Sequence, residues 1–164
     1  MKFYENVLSE ELITWITNER EELKFKQAWN CSELFWDDNI KTGVTGVCAA
    51  SHVSPELYDA IFDHMKPYLP EYDNLFVQHY IWFRGGGICM HDDGKHKFGA
   101  TIYLNETWDM AYGGIFIWQD GDEYKAVCPK KNMLVLNHDH KQHMVTTVSD
   151  LSLEPRYTIQ IWGR

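Results

Sequence analysis

A chain of 164 residues is long enough for one domain with a real core, and 45% apolar with 24% charged residues is ordinary globular composition. Its formal net charge of −9 disfavours a large nucleic-acid footprint, because such binders neutralise phosphates with Lys and Arg. No run approaches the roughly 18 apolar residues of a membrane span, and no apolar run follows a basic start, so a cytoplasmic protein is expected. Cys31, Cys48, Cys89 and Cys128 are scattered, with no C-x-x-C pair, and read as free thiols.

In chain order, two helices come first. Ser9 is a plausible N-cap for a helix whose apolar stripe is Leu12, Ile13, Trp15 and Ile16. The stretch 30–50, with Trp36, Asp37, Gly43 and Gly46, reads as a loop that can cover a substrate. Ser54 and Pro55 open the second helix, with Leu57, Ile61, Phe62 and Met65 facing one way and Pro67 ending it. Beyond Pro70 short β-prone runs alternate with turn residues. Strands are expected over 75–83, 88–92, 98–104, 115–118, 124–127, 133–136, 143–148 and 157–162. The layout predicts a mainly β domain over 1–164: a helix-rich support over 1–73 and a jelly-roll core over 74–164, with the helices packed on one sheet.

His91-Asp92-Asp93 is the sharpest local feature. In a strand, residues i and i+2 share a face, so His91 and Asp93 can aim at one point while Asp92 faces away. A second histidine from elsewhere would complete a two-His, one-carboxylate triad, which suits a non-haem Fe(II) oxygenase because three coordination positions stay open. His138, His140 and His143 are the candidates. His143 is preferred because it opens a β-prone run, whereas the other two sit in a polar one.

From Tyr80 onward the chain resembles the 2-oxoglutarate- and Fe(II)-dependent oxygenases, in their prolyl 4-hydroxylase-like branch. The resemblance rests on Gln78-His79-Tyr80, His91-Asp92-Asp93, Thr101-Ile102-Tyr103-Leu104-Asn105 with Trp108, Gly113-Gly114-Ile115-Phe116, His143-Met144-Val145 and Arg156-Tyr157-Thr158-Ile159-Gln160-Ile161-Trp162, in that order. It implies a double-stranded β-helix (jelly roll) with His91, Asp93 and His143 as iron ligands. It further implies Arg156 as the anchor for the distal carboxylate of 2-oxoglutarate, with Thr158 and Tyr103 as hydroxyl donors to the same group. Tyr80 is similar to a family tyrosine near the co-substrate, and Val145 and Trp162 to pocket wall. The stretch from His143 to Arg156 is longer than the family pattern, with the extra residues around 149–154.

The implied activity is hydroxylation of a substrate C–H bond, first of all on a prolyl residue of a protein or peptide. It would use Fe(II), 2-oxoglutarate and dioxygen, with ascorbate as an accessory reductant, and yield succinate and carbon dioxide. Three other readings stay open at this point: oxidation of another amino-acid side chain or a small molecule, oxidative nucleobase repair, which the acidic charge opposes, and a jelly-roll metal-binding module without turnover. A cupin-like zinc or nickel protein would typically offer more histidines. Arg156 discriminates among them, since a metal-binding module has no need of a carboxylate anchor.

Overall fold

The computed structural model describes residues 1–25, 36 and 38–164. Strand β1 (Lys2–Glu5) leads into helix α1 (Glu10–Phe25), then a single turn α2 (Asp38–Lys41), strands β2 (Val44–Thr45) and β3 (Cys48–His52), and helix α3 (Pro55–Met65). The remainder is β4 (Leu75–Trp82), β5 (Gly87–His91), β6 (Phe98–Tyr103), β7 (Phe116–Asp120), β8 (Glu123–Val127), β9 (Met133–Asn137), β10 (His143–Val145) and β11 (Arg156–Gly163). Among the described residues these strands make two antiparallel sheets. One has six strands in the order β1-β9-β6-β11-β4-β3, the other five in the order β2-β5-β10-β7-β8. This is the expected jelly-roll arrangement, with the helices on the outer face of the six-stranded sheet.

Both helices start where their capping residues place them. The Ser9 hydroxyl accepts from the Leu12 N–H, and the Ser54 hydroxyl accepts from the Leu57 N–H, with Pro55 at the first helical position. Leu57, Ile61 and Met65, four residues apart, are fully buried. In α1 the buried stripe is Leu12, Ile13 and Ile16, continued by Arg20, whose guanidinium carbon lies 3.9 Å from the Tyr157 ring centroid. Trp15 does not belong to that stripe and is 41% exposed. At 3.6 residues per turn its side chain points about 100° away from the centre of the stripe.

Three short strands were not anticipated from the sequence. β1 has mostly exposed side chains and no alternating apolar pattern, and forms only through its pairing with β9. β2 and β3 fall in the 30–50 stretch that reads as a covering loop, and there the structure corrects the expectation. Cys48 to Ala50 belong to β3, hydrogen-bonded to β4 from Cys48 opposite Trp82 to His52 opposite Gln78. The Cys-Ala-Ala-Ser composition hides the strand, since small residues carry little β-propensity and fit there only because both faces are covered. Residues 30–35 and Asp37 lie outside the described residues, as does Cys31; Cys48, Cys89 and Cys128 are free thiols. β10 is also shorter than expected. It ends at Val145, and the Thr146 hydroxyl turns back to accept from the Ile115 N–H.

The alternation of the six-stranded sheet builds two separate cores. Toward the helices point Leu75, Val77 and Ile81 of β4, Phe98, Ala100 and Ile102 of β6, and Tyr157, Ile159 and Ile161 of β11. Toward the second sheet point Tyr80, Trp82, Tyr103 and Trp162 from the same strands, meeting Ile88, Phe116, Trp118 and Val145. The candidate site lies in this second layer.

Candidate functional site

His91 closes β5 and His143 opens β10, and the two strands are neighbours with these residues directly paired. Their ring centroids are 4.4 Å apart. The Nδ1 of His91 is 2.8 Å from the Cys89 carbonyl oxygen, and the Nδ1 of His143 is 2.9 Å from that of Lys141. A carbonyl can only accept, so each Nδ1 carries the proton and each Nε2 presents a lone pair inward. Both rings are thus fixed by the carbonyl two residues earlier in the chain.

Asp93 reaches the same place by a different route from the one the sequence suggests. β5 ends at His91, so Asp93 is not an i+2 neighbour on a strand but part of the turn that follows. The turn is built by Asp92, whose Oδ1 accepts from the Gly94 N–H, with Gly94 at φ +59°. Asp92 faces out, as expected, while Asp93 is 2% exposed. Its Oδ1 lies 3.4 Å from His143 Nε2, and one ligand atom from each of His91, Asp93 and His143 falls within 4.8 Å of the others. His138 and His140 lie outside this group.

Burial sets the protonation of the trio in a direction that suits a cation. It lowers His91 to about 4, with the neighbouring His143 adding to the effect, and lowers His143 as well. It raises Asp93 to about 6, against the pull of His91 and the Asn137 hydrogen bond. Near neutral pH the histidines are therefore neutral and the carboxylate ionised, the state a metal requires.

A small, partly open pocket lies beside the trio, and Trp36, Trp82, Val145, Arg156, Gln160 and Trp162 are among the residues lining it. Trp36 stands 6.2 Å from the His91 ring and edge-on to Tyr80 and Trp162. Arg156 is 1% exposed, its guanidinium carbon 4.8 Å from the Tyr103 ring centroid. Its Nε, the Tyr103 hydroxyl and the Thr158 hydroxyl are all buried without a well-formed hydrogen bond. Burial raises the Tyr103 pKa despite the Arg156 charge beside it. Tyr80, Thr158 and Tyr103 form one cross-strand row over β4, β11 and β6, on the face that looks into the site. They do not line the cavity itself.

Residues 72–164 match the family model described as 2OG-Fe(II) oxygenase superfamily. The chain belongs to this superfamily. The oxygenase is similar in fold to a Pseudomonas putida prolyl-4-hydroxylase, at TM-score 0.73 and 17% identity over 99% of this chain and 91% of that one. A Trichoplax adhaerens prolyl hydroxylase, in complex with a hypoxia inducible factor oxygen degradation domain peptide fragment, matches at TM-score 0.74 and 15% identity, over 99% and 82%. HygX from Streptomyces hygroscopicus, with nickel, 2-oxoglutarate and hygromycin B bound, matches at 0.69 and 10%, over 98% and 81%. A search of curated protein sequences finds no match.

All nine residues singled out from the sequence fall in or beside one compartment of the oxygenase. The sequence did not reveal its supporting parts. These are Asn137, Gly99 and Phe116, which stacks on His143 at 5.1 Å and 23°. Gly114 is another: a Cβ there would sit 2.8 Å from Arg156 Cδ. Only the Gly113-Gly114-Ile115-Phe116 stretch, which holds Gly114 and Phe116, carried a visible signal in the sequence, and it did not show what either residue touches. No helix among the described residues is long and apolar enough to cross a membrane.

Proposed function

We propose that this oxygenase hydroxylates a prolyl residue of a protein or peptide, with 2-oxoglutarate as co-substrate and His91, Asp93 and His143 as the iron ligands. The observation that carries the co-substrate half is Arg156. A guanidinium buried to 1% exposure with no carboxylate partner among the described residues is costly unless an anion completes it. Two buried hydroxyls without a well-formed hydrogen bond, on Tyr103 and Thr158, stand next to it on the sheet. A guanidinium fork with two hydroxyl donors fits the far carboxylate of a keto-dicarboxylic acid. Arg156, His91 and His143 line one cavity, so such an acid held at one end would reach the metal at the other.

Fe(II) with 2-oxoglutarate and dioxygen supplies, when bound, the oxidising power for C–H hydroxylation, with succinate and carbon dioxide released. The protein's own residues position and exclude. His91 and His143 would offer Nε2, each ring locked by its Nδ1–H, and Asp93 would offer Oδ1, leaving one side of the metal open for reactants. Trp36, Trp162, Val145 and Phe116 wall the space and limit water. Ascorbate is the reductant to include in assays.

The prolyl choice is supported by the prolyl hydroxylases among the similar folds, one of them holding a peptide fragment. A small-molecule substrate is the second reading, supported by HygX with its bound hygromycin B. Succinate formation from 2-oxoglutarate, run against a peptide and metabolite panel scored by mass for one added oxygen, decides between them. Turnover of metabolites alone would overturn the prolyl assignment. Absence of succinate under every condition, with iron bound, would favour a metal-binding module.

A further inference from the structure

Asn137 ends β9, is 3% exposed, and has no place in the reading above. Its Nδ2 donates to Asp93 Oδ2 at 2.8 Å and to the Lys141 carbonyl at 3.1 Å, while its Oδ1 accepts from the Lys141 N–H at 3.1 Å. Nδ2 also lies 3.2 Å from His143 Nδ1, where both nitrogens carry hydrogen and no bond forms. A flipped amide, however, would set its oxygen against both the Asp93 carboxylate and the Lys141 carbonyl and lose the bond to the Lys141 N–H, so three contacts favour this orientation over one. The same Lys141 carbonyl takes the Nδ1–H of His143. One side chain therefore ties together a carboxylate on the turn after β5 and a histidine at the start of β10.

The opposite position on the neighbouring strand completes the arrangement. Asn137 pairs with Gly99 of β6, and a Cβ at 99 would lie 2.8 Å from Asp93 Oδ2. With only hydrogen there, the Asp93 carboxylate sinks to the level of the sheet and meets the amide. Oδ2 is spent on Asn137, and Oδ1, facing His143 Nε2, is the oxygen left.

We infer that Asn137 is a positioning residue that makes Asp93 a one-oxygen metal ligand and holds it in register with His143. The inference rests on the metal assignment proposed above. Its rival is that Asn137 merely braces the turn 138–141. A ligand held by one oxygen leaves one more coordination position free than a carboxylate that binds through both. Losing the amide would free Asp93 to rotate or chelate, and would leave a buried carboxylate oxygen without its donor.

The test is Co(II) binding to the metal-free protein, read by titration and by the visible absorption of the bound ion. Asn137→Ala and the volume-filling Asn137→Leu are expected to weaken Co(II) binding by about ten- to a hundredfold and to change the absorption envelope. Asn132→Ala is the control for bracing alone, because Asn132 is about as buried and clasps Leu8 through both amide atoms, with no hydrogen bond to the trio. It should lower the melting temperature and leave Co(II) affinity and spectrum unchanged. If both Asn137 variants bind Co(II) with wild-type affinity and spectrum while Asp93→Ala does not bind, Asn137 is only a turn brace and the inference fails alone. If Asp93→Ala binds as wild type does, the metal assignment fails and takes the inference with it.

Discussion

The two faces of the six-stranded sheet are made by the same strands and do opposite work. On β11, Tyr157, Ile159 and Ile161 enter the core under the helices, while Arg156, Thr158, Gln160 and Trp162 face the cavity side. The helix face is mostly aliphatic and tolerates any shape that fills it. The cavity face carries indoles, hydroxyls, an amide (Gln160 Oε1 accepts from the Thr101 hydroxyl at 2.7 Å) and a guanidinium, several of them left without well-formed hydrogen bonds. The lesson is a division of labour at single-residue spacing. Stability is gathered on one face, so the other can carry buried polar groups that the fold itself leaves without well-formed hydrogen bonds. A slip of β11 by one residue would exchange the two.

Substitutions can break this contrast from either side. The largest loss is expected at the trio. Asp93→Ala and His143→Ala should abolish iron binding and turnover while the circular dichroism stays native, and Asp92→Ala, His138→Ala and His140→Ala should retain both; iron content and succinate release read this directly. On the helix face, Ile159→Ala should cost about 2–5 kcal/mol in denaturant unfolding, because it empties a fully buried site. The surviving folded fraction should keep its 2-oxoglutarate KM. Three residues back along β11 and on the opposite face, Arg156→Ala should do the reverse. Loss of a charge-assisted bidentate contact of about 1.5–3 kcal/mol raises the 2-oxoglutarate KM by about ten- to a hundredfold, with iron content unchanged. Arg156→Lys should recover part of that, since an ammonium keeps the charge without the fork. An unchanged KM in Arg156→Ala would remove the co-substrate assignment. The smallest effect belongs to Ser54→Ala, expected to lower stability by about 1 kcal/mol through loss of the α3 cap and to leave both binding constants alone.

What the sequence made legible follows from how local each signal is. Capping residues, strand alternation and the order of chemically distinctive residues are written over a few positions each, so the two helices and eight strands could be read, and the nine residues proposed for the site fold into or beside one compartment. Asp93 does meet His91 and His143, but by a different geometry from the expected one. Alternation put it on a strand, whereas the turn closed by Asp92 and Gly94 delivers it. Asn137 sits at the edge of the polar run 138–142, and nothing local distinguishes a buried clamp from a loop residue. Its role depends on Gly99 and Asp93, 38 and 44 residues away, and appears only once β6 and β9 are paired. β3 was hidden for the same kind of reason, since its small residues become a strand only beside β4.

Gly99 has an evolutionary consequence as well as a geometric one. Its missing side chain is bounded on one side by Asp93 and on the other by the Trp162 ring, whose nearest atom would be 2.8 Å from any Cβ. No single substitution at 99 can be absorbed without displacing either a charged group in the metal trio or the wall of the cavity. A saturation library at this position should therefore return glycine alone under selection for turnover. Under selection for folding alone, alanine should appear beside it once Trp162 is also allowed to shrink. Sequence variation at 99 and 162 in such a library would be linked, and that linkage is a fingerprint by which the compartment can be followed without measuring its chemistry.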